Sequence, residues 1–238
     1  MEWHINKSKA TCQQNLLANQ DEILNKITTI PVSVVRLLEK FMDRAKLWPK
    51  SGRALVAVSG GADSLFLLNM LWLLKRKGKI SDILILHVNH GTRPETKQEE
   101  EFLRDYACAL DVPLKVKHLQ MNSRDSNFEE RARKARYEFF HTHINSGDRL
   151  YLGHHIDDSL EWSLLCSFKS GEIRGRLGIP LVRGAIARPL FCFSRAQIKH
   201  FMMAHKLPYF EDRSNKDKKY ERNFVRLEVL KTIKSRFP

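Results

Sequence analysis

Cysteine is scarce in this chain, 4 among 238 residues, and no two stand as Cys-x-x-Cys: Cys12, Cys108, Cys166 and Cys192 are far apart. That spacing excludes a zinc ribbon, a dithiol redox couple and a disulfide-stapled scaffold, so the four read as free thiols. Long apolar runs are also missing. The longest, Leu65 to Leu74, holds ten residues with Asn69 inside it, whereas a membrane-spanning helix needs about 20. The first twenty residues mix Glu2, Lys7, Lys9, Gln13, Gln14, Asn15 and Asn19 without a continuous apolar stretch. This argues against a signal peptide and makes a cytoplasmic location, with no membrane partner, the expectation. Acidic residues are the minority charge, 27 against 41 Lys and Arg, for a net +14. Residues Arg183 to Pro238 alone carry 14 basic and 5 acidic side chains. A polyanion such as nucleic acid suits this excess, and so does a solubilising surface; charge alone does not separate them.

Hydrophobic residues make up 42% of the chain, enough for a sizeable core. Residues 1–30 are polar, rich in Asn and Gln, and predict an N-terminal arm with one helical turn near Ile23 to Ile27. From Val32, the positions Val34, Val35, Leu37, Leu38, Phe41 and Met42 recur at helical spacing up to the stop at Pro49. Then the pattern changes. Ala54 to Val58 is a short apolar run ending in Ser59-Gly60-Gly61, and Leu65 to Leu74 is a helical run ending in Lys75-Arg76-Lys77-Gly78. Ile83 to Val88, Leu114 to Leu119 and Leu150 to Gly153 repeat the strand signature. Helical patterns over Glu99 to Leu110, Phe128 to Ile144 and Asp157 to Phe168 alternate with them. Alternation of this kind predicts an α/β fold, a Rossmann-like parallel sheet with helices on both faces. Its domain would cover residues 31–212, completed by a basic C-terminal helix over 213–238.

The polar motifs fall where strands become helices, the usual place for a ligand in such sheets. Ser59-Gly60-Gly61-Ala62-Asp63-Ser64 turns backbone N–H groups and a helix N-terminus toward an anion. No Gly-Lys-Ser/Thr follows, so it is not a Walker A loop. Asp63 can cap the helix or help hold Mg2+ beside phosphates. His87-Val-Asn-His90-Gly91-Thr92-Arg93 follows the next strand; taken singly, His87 and His90 read as loop or core residues. Ser126-x-x-Glu129 is a capping box opening a helix on which Arg133 and Arg136 lie one turn apart, a pair suited to phosphoryl charge. Gly153-His154-His155-Ile156-Asp157-Asp158-Ser159-Leu160-Glu161 sets Asp158 and Glu161 on one helical face, placed to bind Mg2+ or accept a proton. N-capping would account for Asp157 and Asp158 but not for Glu161. The loop from Lys169 to Pro180, with Arg174 and Arg176 among its glycines, suits a phosphate backbone. Glu211-Asp212-Arg213-Ser214-Asn215 leads into a helix carrying Arg222-Asn223 and Arg226, a positive ridge.

The Ser-Gly-Gly-x-Asp-Ser turn resembles that of the PP-loop ATP pyrophosphatases. Within that group, the segments at 87–93, 129–137, 153–161, 188–190 and 211–226 resemble the tRNA(Ile)-lysidine synthetases. Thr92 stands where Leu is usual, Trp162 where Thr is usual, and Lys169-Ser170 where Arg-Gly is usual. What the resemblance implies is ATP-dependent ligation. ATP adenylates the C2 oxygen of the wobble cytidine of tRNA(Ile) with a CAU anticodon and pyrophosphate leaves. The ε-amine of free L-lysine then attacks C2 and AMP departs. Carried onto this sequence, the resemblance puts Ser59, Gly60, Gly61, Ala62, Asp63, Ser64 and His87 at the nucleotide. It makes Asp63, Arg133, Asp158, Glu161 and Arg222 the catalytic set, with Asp63 and Asp158 toward Mg2+. Longer members add C-terminal domains that embrace the tRNA; here the basic tail, the N-terminal arm or a homodimer partner would share that task. The other readings are a PP-loop tRNA thiolase, whose cysteine pairs are missing here, a catalytically silent RNA-binding module, and a metal-dependent phosphoesterase built on His154, His155, Asp157 and Asp158.

Overall fold

The computed structural model describes residues 20–91, 96–119, 127–169, 173–211 and 221–236. A helix over residues 20–28 (α1) precedes α2 (Val32–Arg44), and six strands follow: β1 (Ala54–Ala57), β2 (Ile83–Asn89), β3 (Leu114–His118), β4 (Arg149–Tyr151), β5 (Val182–Arg183) and β6 (Ile186–Ala187). The helices between and after them are α3 (Ala62–Arg76), α4 (Thr96–Ala109), α5 (Phe128–His141), α6 (Ile156–Lys169), α7 (Ile173–Arg176), α8 (Arg195–Ala204), α9 (Glu221–Phe224) and α10 (Leu230–Arg236).

The sheet runs β3-β2-β1-β4-β6-β5. All neighbours pair in parallel except β5 with β6, an antiparallel hairpin at the edge turned by Gly184 at φ 60°. The continuous apolar reading of β1 and β2 follows from helices on both faces. On one face α2, α3, α4 and α8 bury Leu38, Met42, Phe66, Leu67, Leu71, Tyr106, Ile198 and Met202 against Val56 and Ile85. On the other, Phe140 and Tyr137 of α5 pack on Leu55, Leu84, Leu86, Leu150 and Ile186. Helix α3 is apolar all round because it lies between sheet and helices, with every residue from Ser64 to Trp72 buried.

The parallel, two-faced sheet is as the alternation predicted, and the β5–β6 hairpin is an addition to it. Residues 20–30 depart from the polar-arm reading: Ile27 is 0% and Ile30 4% exposed, so this segment is part of the core. Residues 1–19 lie outside the described residues. Ser126 of the predicted capping box does too, and α5 begins at Phe128 after Asn127 in a left-handed conformation, φ 59°. Thr92, Arg93, Ser170 and the 212–220 stretch of the C-terminal block are likewise outside them. Among the described residues no helix is long and apolar enough to cross a membrane.

Candidate active site

Strands β1, β2 and β3 fill the sheet in one direction and β4 starts the other, so the chain reverses its order between β1 and β4. In sheets of this kind that reversal is the point where loops from the carboxyl ends of neighbouring strands form the ligand crevice. Ser59 to Ser64 forms one wall and residues 153–158 the other. Gly153 is required by this closeness: a Cβ on it would stand 3.1 Å from the Ser64 backbone nitrogen.

The first turn is closed by its own hydroxyls. Ser59 N–H donates to Ser64 Oγ (3.2 Å), and Ser64 Oγ donates to the Gly61 carbonyl (3.0 Å). Gly60 takes φ 90°, which glycine adopts without strain. Its carbonyl accepts the Phe210 N–H at 2.9 Å, and Phe210 stands edge-on to Phe102 of α4, centroids 5.1 Å apart. Sequence reasoning missed Phe210, the tie between this turn and the C-terminal block; an aromatic beside a charged motif carries no local signal. His87 lies behind the turn, 4% exposed, its Nδ1 donating to the Val58 carbonyl at 2.8 Å. Burial pushes its pKa down, so it stands there as a neutral imidazole.

Asp63 enters from the first turn of α3. Burial raises its carboxyl pKa, and its Oδ1 is buried without a hydrogen-bond partner. Across the crevice lies His155, wholly buried. Its Nε2 is 3.8 Å from Asp63 Oδ2 and 3.5 Å from Asp158 Oδ2, so one imidazole separates the two carboxylates.

Asp158 and Glu161 share a face of α6, as their spacing predicts, and both are buried. Asp158 does two things at once. Its Oδ2 accepts the His155 N–H at 2.9 Å, a cap at the start of α6, while its Oδ1 receives Arg222 at 2.5 Å. Glu161 Oε2 accepts Arg222 Nε at 2.9 Å, and Arg226 grips Glu161 with Nε at 2.6 Å and an Nη at 2.8 Å. The basic ridge therefore turns inward: Arg222 and Arg226 neutralise the two buried acids and bind the C-terminal helices to α6. A π-helical stretch, Val225–Val229, carries Arg226, a distortion often found at working sites. Asp157 faces elsewhere, accepting the Arg195 N–H at the start of α8 (2.7 Å).

Arg133 stays outside this network. Its guanidinium lies 5.2 Å from the centre of the Tyr137 ring, and Arg136 lies 6.0 Å from the same ring. The crevice thus brings together Asp63, Asp158, Glu161 and Arg222, adds His155 and Arg226, and leaves His87 behind the first turn and Arg133 to one side. No group of three or more His, Cys, Asp or Glu side chains among the described residues is arranged to hold a metal ion.

The fold is shared with a U34-tRNA thiolase from Methanococcus maripaludis, which has a TM-score of 0.64 and 16% sequence identity over 87% of this chain and 73% of that one. Closer in sequence are proteins named tRNA(Ile)-lysidine synthase. That of Pseudomonas aeruginosa is 31% identical over 208 residues, 86% of this chain and 47% of the relative. That of Staphylococcus aureus strain MRSA252 is 36% identical over 195 residues, 78% and 45% respectively. The chain spans less than half the length of these curated relatives. A family profile described as the PP-loop domain matches residues 31–233. That match runs from α2 to α10 and takes in both walls of the crevice together with the inward-turned arginines, so the chain belongs to the PP-loop, ATP-binding family.

Proposed function

We propose that this chain carries out ATP-dependent lysidine formation on tRNA(Ile) with a CAU anticodon, in the cytoplasm where tRNA is matured. The observation that carries the reading is the neutralised cluster of Asp158, Glu161, Arg222 and Arg226 facing the Ser59–Ser64 turn across the β1–β4 crevice. Its similarity to the lysidine synthases supplies the substrates. Residues 31–212 and the helices after 213 act as one catalytic domain.

In this reading the Ser59–Ser64 backbone, aided by the α3 dipole, cradles the β and γ phosphates. The wobble cytidine's C2 oxygen attacks the α-phosphorus and displaces pyrophosphate. Lysine's ε-amine then adds at C2, AMP leaves with the C2 oxygen, and the amine gives up a proton. Asp63 is the residue that fits Mg2+: it offers a carboxylate oxygen, Oδ1, that is buried and otherwise unpartnered, and oxygen donors suit this ion. Bound there, Mg2+ supplies charge neutralisation for the phosphates. Asp158 has both oxygens committed, so its part is to hold Arg222 at the reacting phosphate, where the guanidinium offsets charge gained in the transition state. Glu161 anchors Arg222 and Arg226 in that pose. Arg133 meets the nucleotide from the Tyr137 side.

The test is incubation with ATP, Mg2+, radiolabelled lysine and tRNA(Ile) transcript, with the CAU-bearing tRNA(Met) as control. Label should enter tRNA(Ile) alone, with matching AMP and pyrophosphate release. Asp158→Asn should lower the rate about 100-fold or more. Incorporation at the wild-type rate in that variant would remove Asp158 from the mechanism.

A further inference from the structure

The buried residues of α6 are Asp157, Asp158 and Glu161, all acidic, while its Ile156, Leu160, Trp162 and Phe168 are exposed. Acids inward and large apolar side chains outward is the reverse of a helix that closes a core. Exposed aliphatic residues such as Ile156 and Leu160 are ordinary on a protein surface. Trp162 is different. It follows Glu161 and comes one turn after Asp158, on the side of α6 that meets Arg222. It is 47% exposed, and among the described residues its ring and its indole N–H have no hydrogen bond, ring contact or cation partner. Helical side chains lean toward the N-terminus of their helix, and for α6 that end is the crevice wall at residues 153–158. Arg222, which joins Asp158 to Glu161, keeps 42% of its side chain accessible. The indole and the guanidinium thus border the same opening.

An unengaged aromatic ring beside a cation suits a flat ligand with a π face. The proposed reaction brings two such rings, the adenine of ATP and the wobble cytosine. The cytosine carries the attacking oxygen on the ring itself, so its ring lies against the α-phosphorus that Arg222 serves. Adenine is held off from that phosphorus by its ribose and lies a sugar's length farther. A base that leaves the anticodon stack also loses its neighbours, and an aromatic side chain replaces them. Resting on the proposed function, we propose that Trp162 stacks on the wobble cytosine and holds its C2 oxygen toward Arg222 and the nucleotide. Phe168 is 70% exposed on the same helix, but six residues on, about 9 Å farther from the crevice, and serves as the control.

The experiment removes the ring from the protein and the base from the RNA. An anticodon stem-loop of tRNA(Ile), and the same RNA with an abasic site in place of the wobble cytidine, are titrated by filter binding without ATP. The proteins are wild type, Trp162→Phe, Trp162→Thr and Phe168→Ala. Removing the base should weaken binding to wild type and to Phe168→Ala about 10-fold or more, to Trp162→Phe nearly as much, and to Trp162→Thr hardly at all, since the ring is already gone. Because Trp162 is exposed, thermal unfolding should be the same for all four. The intact RNA should quench wild-type tryptophan fluorescence more than the abasic RNA does, and that difference should vanish in Trp162→Phe. In turnover, kcat/KM for tRNA(Ile) should fall about 10- to 100-fold in Trp162→Thr and recover largely in Trp162→Phe, with KM for lysine and ATP unmoved. An abasic penalty as large in Trp162→Thr as in wild type, no penalty in wild type, or a rise in KM for ATP in Trp162→Thr overturns the cytosine platform while the proposed function stands. Wild-type protein that transfers no lysine to tRNA(Ile) overturns the proposed function, and this inference with it.

Discussion

Glu100, outside the crevice, shows how a single buried charge is held. Its oxygens accept from Asn89 Nδ2 at 2.9 Å, His118 Nε2 at 2.7 Å, and Arg104 Nε and Nη at 3.1 and 2.7 Å. Burial alone would raise its pKa, but these donors outweigh burial and hold the carboxyl down at about 2, below its ordinary 4.5. A carboxyl depressed in the folded state adds stability that is complete above the unfolded value and fades as pH falls toward the folded one. Glu100→Gln should therefore cost about 1–2 kcal/mol at neutral pH, and the gap to wild type should narrow steadily between about pH 4.5 and about pH 2. Urea unfolding at a series of pH values measures it; a gap independent of pH would show that the charge is immaterial.

At the scale of elements, the crevice depends on two strand-to-helix turns touching backbone to backbone. A Cβ at position 153 would stand 3.1 Å from Ser64 N and 3.2 Å from the Asp63 carbonyl carbon, atoms fixed by the first turn of α3. Those atoms cannot swing aside as a side-chain tip can, so Gly153→Ala must push the β4–α6 turn away from the Ser59–Ser64 turn. We expect about 1–2 kcal/mol of lost stability and an ATP affinity lowered by roughly tenfold, read from a nucleotide titration beside a thermal melt. Unchanged ATP affinity would mean that the two turns relax independently. The same spacing explains why the sheet needs no long excursion to build its site: the order reversal brings the two turns side by side.

For the whole molecule, the net +14 governs long-range behaviour. Part of the basic excess is spent internally, since Arg222 and Arg226 face Asp158 and Glu161 and Arg53 pairs with Asp148. The exposed remainder should steer tRNA through phosphate contacts. Affinity for tRNA(Ile) should therefore fall by roughly 100-fold between about 50 and about 200 mM salt, measured by filter binding. A flat salt dependence would assign the charge to solubility alone.

What the sequence by itself determined was local and periodic. Strand-helix alternation predicts the parallel sheet, and Ser59-Gly60-Gly61 after an apolar run marks the tight strand-to-helix turn. The i, i+3 spacing of Asp158 and Glu161 puts them on one face, because a helix repeats every 3.6 residues whatever surrounds it. Only the tertiary structure decided what meets across the fold. The i, i+4 spacing of Arg222 and Arg226 makes a positive ridge without saying what it faces; α9 and its π-helical continuation turn it onto Asp158 and Glu161 of α6. Ile27 and Ile30 read as part of a polar arm until the core closes over them. Asp63 and Asp158 come to either side of the His155 imidazole only because the turns after β1 and β4 meet. The physical reason is that helical and strand periods are fixed by nearest neighbours along the chain, whereas charge compensation and burial depend on groups tens to more than a hundred residues apart in sequence.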